Sequence, residues 1–165
     1  MKNWSLFLKL LCIYFFFVSK TLFAQNQTVI DAIQGVGEFK WGMSLEQINC
    51  TEDENGWCNF YPGNFYLNTF KVYQIKIAVN QSDFNTYIKG VFWIELYLSS
   101  NKLEDFNKCV KELKTKYGTP TKSEDDFFTW SGKNVTVSIR YLFEDGQNKT
   151  VIWYIKKPTK TTVGF

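Results

Sequence analysis

From Tyr73 to Val79, and again from Val91 to Leu98, apolar and polar residues alternate with a period of two, which only an extended strand can sort onto two faces. In the first run Tyr73, Ile75, Ile77 and Val79 share one face, while Gln74, Lys76 and Ala78 share the other. In the second, Phe92, Ile94, Leu96 and Leu98 oppose Trp93, Glu95 and Tyr97, so the polar side carries rings of its own. Phe127 to Trp130, Val135 to Phe143 and Lys149 to Lys157 read as three further strands. Hairpins at Ser131-Gly132-Lys133 and Glu144-Asp145-Gly146-Gln147-Asn148 join them. Pro62-Gly63-Asn64 marks a tight turn, and Gln81 to Lys89 reads as a connecting loop. Connections this short imply antiparallel neighbours.

Two segments break that period. Leu103, Phe106, Val110, Leu113 and Tyr117 recur at helical spacing, after a capping-box pair at Asn101 and Glu104 and before Gly118 and Pro120. This predicts a helix over 102–117. Earlier, Ser44 as a cap, Gln47 reaching back and Met43 stapled to Ile48 predict a short helix ending near Asn49. The expected architecture is α+β over residues 38–158: a twisted antiparallel sheet of about five or six strands, one long helix packed on one face, and one short N-terminal helix. Residues 25–37 are expected to be a loose lead-in, and residues 159–165 a frayed tail.

The first 24 residues have a different character. Lys2 and Lys9 precede Leu10 to Val18, an unbroken apolar run that leads to Ala24, which predicts an export signal over 1–24. A membrane-spanning helix needs about 20 apolar residues, and Lys9 and Lys20 bracket a shorter run, so no span is expected once the signal is removed. Export to the periplasm or beyond also changes the charge. The chain has 19 basic and 16 acidic residues, but Lys2, Lys9 and Lys20 leave with the signal and no acid does. A neutral domain with a single arginine, Arg140, is a poor partner for nucleic acid.

Export also favours disulfides. Cys50 and Cys58 bracket a short polar loop and are the expected pair; joining Cys109 to either is the alternative. The chain has no histidine. That removes the Ser-His-Asp triad and the ordinary zinc site, and no glycine-rich phosphate loop occurs. Carboxylate chemistry survives in two acidic triplets, Glu52-Asp53-Glu54 and Glu124-Asp125-Asp126. They admit a glycan hydrolase or a calcium-stiffened structural domain as alternative functions, although both triplets are expected to be solvated loop charges.

Phe39-Lys40-Trp41-Gly42-Met43-Ser44 and Leu113-Lys114-Thr115-Lys116-Tyr117-Gly118-Thr119-Pro120 resemble segments of small exported bacterial proteins of unknown function. They also look like pieces of the BamE/SmpA and beta-lactamase-inhibitor-protein type of module. That resemblance implies short helices before an antiparallel sheet and a role in binding proteins of the envelope; it carries no functional residue across.

The leading expectation is therefore an exported, non-enzymatic domain that binds a protein or an envelope component, without a cofactor. Trp57, Tyr61, Phe65 and Tyr66 crowd a turn near Cys58, where they either seal a sheet edge or offer rings to a partner. Together with Trp93 and Tyr97 on the second sheet face, they are the candidate binding residues.

Overall fold

The computed structural model describes residues 27–83 and 86–158. The export signal at 1–24 and the tail at 159–165 lie outside the described residues. A short helix, α1, occupies 27–31. It is followed by β1 (Gly35–Val36), β2 (Phe39–Lys40), β3 (Trp57–Phe60), β4 (Phe65–Leu67), β5 (Phe70–Asp83) and β6 (Thr86–Leu98). A second helix, α2 (Leu103–Tyr117), precedes β7 (Lys122–Glu124), β8 (Phe127–Ser131), β9 (Val135–Glu144) and β10 (Gln147–Lys156).

This overturns the expected α+β layout of five or six strands. The described chain is mostly β, with an 8-stranded antiparallel sheet and a separate 2-stranded one, β1–β2. The large sheet runs β3-β5-β6-β10-β9-β8-β7, and β4 pairs beside β5. The strands missed in the sequence are too short or too polar to alternate. All three residues of β7 are exposed, for example. Residues 81–83 and 86–88, read as loop, instead prolong the β5–β6 ladder.

The helices also differ from expectation. Residues 44–49 form a hydrogen-bonded turn rather than a helix. The local capping signal is nevertheless real: Ser44 N–H donates to Gln47 Oε1 (2.9 Å) and Gln47 N–H to Ser44 Oγ (3.3 Å). The chain is pinned on both sides of it. Gly42 N–H donates to the Val91 carbonyl and Val91 N–H to the Met43 carbonyl, while Cys50 is bonded to Cys58. Little chain is left for a second helical turn.

No side chain caps α2; its N-cap is Lys102 rather than Asn101. Leu103 is exposed, and Cys109 takes its place in the buried stripe with Phe106, Val110, Leu113 and Tyr117. Gly118, at φ 77°, ends the helix, and its N–H donates to the Lys114 carbonyl. The long helix expected to cover one face is not found: α2 is short and its ring contacts reach only part of the sheet, where Phe106 meets Phe128 and Tyr141, and Tyr117 meets Trp130. The remainder of this inner face packs against the N-terminal segment. Ile30, Val36, Phe39 and Ile48 join Ile75, Ile94, Leu96, Ile139 and Ile152 in one core. Burying each such side chain contributes roughly 1.5–3 kcal/mol, so Ile30, Val36, Phe39 and Ile48 tie the 27–48 segment to the sheet.

Asp31 fixes that segment from its polar side. Its carboxylate accepts the backbone N–H groups of Lys133 (2.8 Å), Asn134 (2.6 Å) and Val135 (3.3 Å) at the β8–β9 turn. Burial pulls the Asp31 pKa up, but these three N–H groups and the nearby Lys157 charge outweigh it and hold it below the ordinary value.

Candidate functional site

The inner face is filled, so the opposite face of the sheet defines the candidate site. Its rows follow from register. One runs Asn59, Lys76, Glu95, Trp153, Ser138 and Thr129 across β3, β5, β6, β10, β9 and β8. The row on one side of it holds Trp57, Ala78, Trp93, Ile155 and Thr136. The row on the other side holds Gln74, Tyr97, Val151, Arg140 and Phe127. Because strand side chains alternate between faces, these residues all project away from α2. No described helix or strand lies across them.

A bulge adds one ring. Val72 pairs with Leu98 and Gln74 with Tyr97, which leaves Tyr73 as the extra residue on β5. A bulge turns two successive side chains toward one side. Tyr73 thus leaves the face it was expected to share with Ile75 and packs edge-on against Tyr97, with centroids 6.1 Å apart. Two further pairs complete the set: Trp57 with Trp93 at 5.6 Å, and Phe127 with Trp153 at 5.9 Å.

Polar groups thread between the rings. Tyr97 donates its hydroxyl proton to Glu95 (2.9 Å), and Lys76 Nζ lies 5.1 Å from the Tyr97 ring centre. Gln74 donates to Asn59 Oδ1 (3.1 Å) and to the Tyr61 hydroxyl (3.3 Å). Glu95 is only 8% exposed, and burial raises its pKa against the lowering effects of the Tyr97 hydrogen bond and the Lys76 charge. Burial, followed by the charge of Glu95, pushes the Tyr97 hydroxyl well above its ordinary value. The indole N–H of Trp93 is buried without an acceptor among the described residues, whereas that of Trp153 is turned toward the Glu95 carboxylate and helps to hold its charge.

Of the six candidate residues, Trp57, Tyr61, Trp93 and Tyr97 come together on this face. Phe65 does not. It belongs to the margin of the core, with its ring against Gly37. Tyr66 is exposed, pairs with Lys71 at the rim and makes no ring contact among the described residues. Sequence reasoning missed Tyr73, Phe127 and Trp153. Both faces of β10 are apolar, as Ile152 and Tyr154 alternate with Val151, Trp153 and Ile155, so periodicity alone does not assign Trp153 to a side. Its register against Glu95 does.

The acidic triplets are exposed throughout. Asp53 is committed to its own loop, accepting the N–H groups of Asn55 (2.9 Å) and Trp57 (3.0 Å) and the Asn59 amide (2.8 Å). Those bonds, that of Trp57 first, hold its pKa down. Glu124 pairs with Lys122 at 2.8 Å, and Asp126 approaches Arg140 at 4.0 Å. Among the described residues no group of three or more acidic or cysteine side chains is placed to hold a metal ion.

The cysteines resolve as expected for the first pairing: Cys50 is bonded to Cys58, and Cys109 is a buried free thiol. Burial, helped by the charge of Glu112, pushes the Cys109 thiol up to about 12, so it is no nucleophile. Among the described residues no helix is long and apolar enough to cross a membrane. No family model, curated protein or solved structure matches this chain, so its likeness to the BamE/SmpA type of module rests on the two short segments alone.

Proposed function

We propose that the protein is an exported, non-enzymatic binding module that holds a protein or another envelope component on the outer face of its sheet. The observation that supports this reading is the three ring pairs, Trp57–Trp93, Tyr73–Tyr97 and Phe127–Trp153, set among Asn59, Gln74, Lys76 and Arg140. Large rings that combine apolar area with hydrogen-bonding neighbours are the usual anchors of recognition surfaces. Export is supported by the signal-like first 24 residues and by the Cys50–Cys58 disulfide, a bond favoured outside the cytosol. The alternative readings lose their carriers. A glycan hydrolase needs two convergent carboxyls, whereas the triplets are exposed and partly consumed by their own turns. A calcium-stiffened domain has no donor set among the described residues.

The test is site-specific photo-crosslinking in the native envelope. A crosslinker at Tyr73 is expected to yield a discrete adduct, and one at Asn107, exposed on α2, none. Adducts from Asn107 with none from Tyr73 would refute this assignment of the face.

A further inference from the structure

At the Trp57 end of the outer face lies a cleft of about 480 Å³, lined by Glu52, Asn55, Trp57, Asn80, Phe92 and Trp93 among others. Its size is that of a small-ligand site. Trp57 and Trp93 stand nearly perpendicular, at 79°, and form an indole corner. The loop bearing Glu52, Asn55 and Trp57 is closed by the Cys50–Cys58 disulfide and hooked internally by Asp53. Asn80 is fixed as well. Its Oδ1 accepts the Gly90 N–H at 2.8 Å, which leaves the amide Nδ2 hydrogens as donors.

The lining contains Glu52 but no lysine or arginine. It therefore offers no cation to a phosphate or carboxylate, and Glu52 repels either. A quaternary ammonium ion would suit the rings and Glu52, but it accepts no hydrogen bond and leaves the Asn80 donor unused. A ligand with both donor and acceptor hydroxyls, and C–H faces to lay on an indole, uses the whole set.

From this we infer that the cleft is a saccharide subsite that takes one uncharged sugar unit of a glycan, stacked on the Trp57–Trp93 corner and hydrogen-bonded by Asn55, Asn80 and Glu52. The inference deepens the reading of the outer face as a binding surface and rests on it. The loop arrives already ordered, so little conformational freedom is lost on binding.

The test uses protein recovered from the compartment to which the full-length chain is delivered, with its disulfide intact. Triacetylchitotriose, maltotriose and choline are titrated separately while indole N–H resonances are followed by NMR. Saturable shifts of the Trp57 and Trp93 signals with either sugar are expected, with little response to choline. Trp57→Ala abolishes the response. Asn55→Ala, whose side chain has no other partner among the described residues, weakens it about tenfold, the worth of one hydrogen bond. Glu52→Gln leaves sugar affinity within about threefold, because a neutral amide still accepts a hydroxyl, whereas it would cost a cation the charge that attracts it, about tenfold or more.

Shifts with choline alone, or with none of the three probes, would overturn the subsite. A crosslink retained from Tyr73 in that event would leave the outer face standing as a binding surface for another partner. Loss of both results would remove the two readings together.

Discussion

Replacing Asp31 with alanine isolates the attachment of the N-terminal segment to the sheet. The carboxylate accepts backbone N–H groups from Lys133 at 2.8 Å, Asn134 at 2.6 Å and Val135 at 3.3 Å. A hydrogen bond to a charged acceptor contributes about 1.5–3 kcal/mol when its donor has no alternative. Lys133 and Asn134 are exposed and regain water when the acceptor is lost, whereas the buried Val135 regains less. The net cost of Asp31→Ala is therefore about 2–3 kcal/mol, a fall in Tm of roughly 8–12 °C for a domain of this size. Asp31→Asn keeps one acceptor but loses the charge, so it should cost about half as much.

The pH dependence has a definite sign. A carboxyl held below its ordinary value in the folded state stabilises the fold above the unfolded value near 3.9 and loses that effect as pH falls through the folded one. Melting curves for the three proteins between pH 2 and pH 7 should therefore diverge at neutral pH and converge in acid. Asp31→Ala melting within about 2 °C of the parent at pH 7 would refute the account, because residues 27–36 would then add nothing that Asp31 secures.

Other perturbations probe the remaining structure. Gly90 has φ 77°, and a side chain there would run into the Gly42 backbone. Gly90→Ala should cost about 2 kcal/mol or more and release the Gly42–Met43 segment from Val91, read by loss of amide-exchange protection at Gly42 and Val91. Cys58→Ser opens the clasp between residues 8 apart, which should lower stability by about 2–3 kcal/mol by chain entropy. Thiol labelling of the intact protein should find Cys109 silent when folded and reactive in denaturant. Glu95→Gln should raise Tm at pH 7, because a buried carboxyl with a raised pKa favours folding only below its unfolded value near 4.3 and loses that effect as pH rises through the folded one; the gain should vanish in acid, and equal melting at pH 7 would show that Lys76 and Tyr97 already compensate the charge.

What the sequence disclosed was local. Ser44 and Gln47 do bond each other, Gly118 does end α2, and Cys50 does reach Cys58, each an interaction between residues close in the chain. The architecture depended on distant partners. Asp31 meets a turn about a hundred residues away, and no pattern near either end announces the contact. Period-two alternation placed Trp93 opposite Ile94 correctly, yet it put Tyr73 beside Ile75 and Phe92 beside Ile94, because an extra residue in a ladder is invisible without its partner strand; Phe92 is such a residue and lies outside the core. The candidate face was half legible for the same reason. Trp57, Tyr61, Trp93 and Tyr97 stand near turns or on one clearly two-sided strand, whereas Phe127 and Trp153 join them only through pairing across β8, β9 and β10.

The place of β10 in the sheet sets an order of events. The last of the described strands lies between β6 and β9, and almost every row of the sheet passes through it. A nascent chain that has not yet made Gln147–Lys156 holds two separate groups of strands with bare facing edges and a core that is not yet closed. The domain therefore closes only once Gln147–Lys156 has been made, however early the other strands are complete.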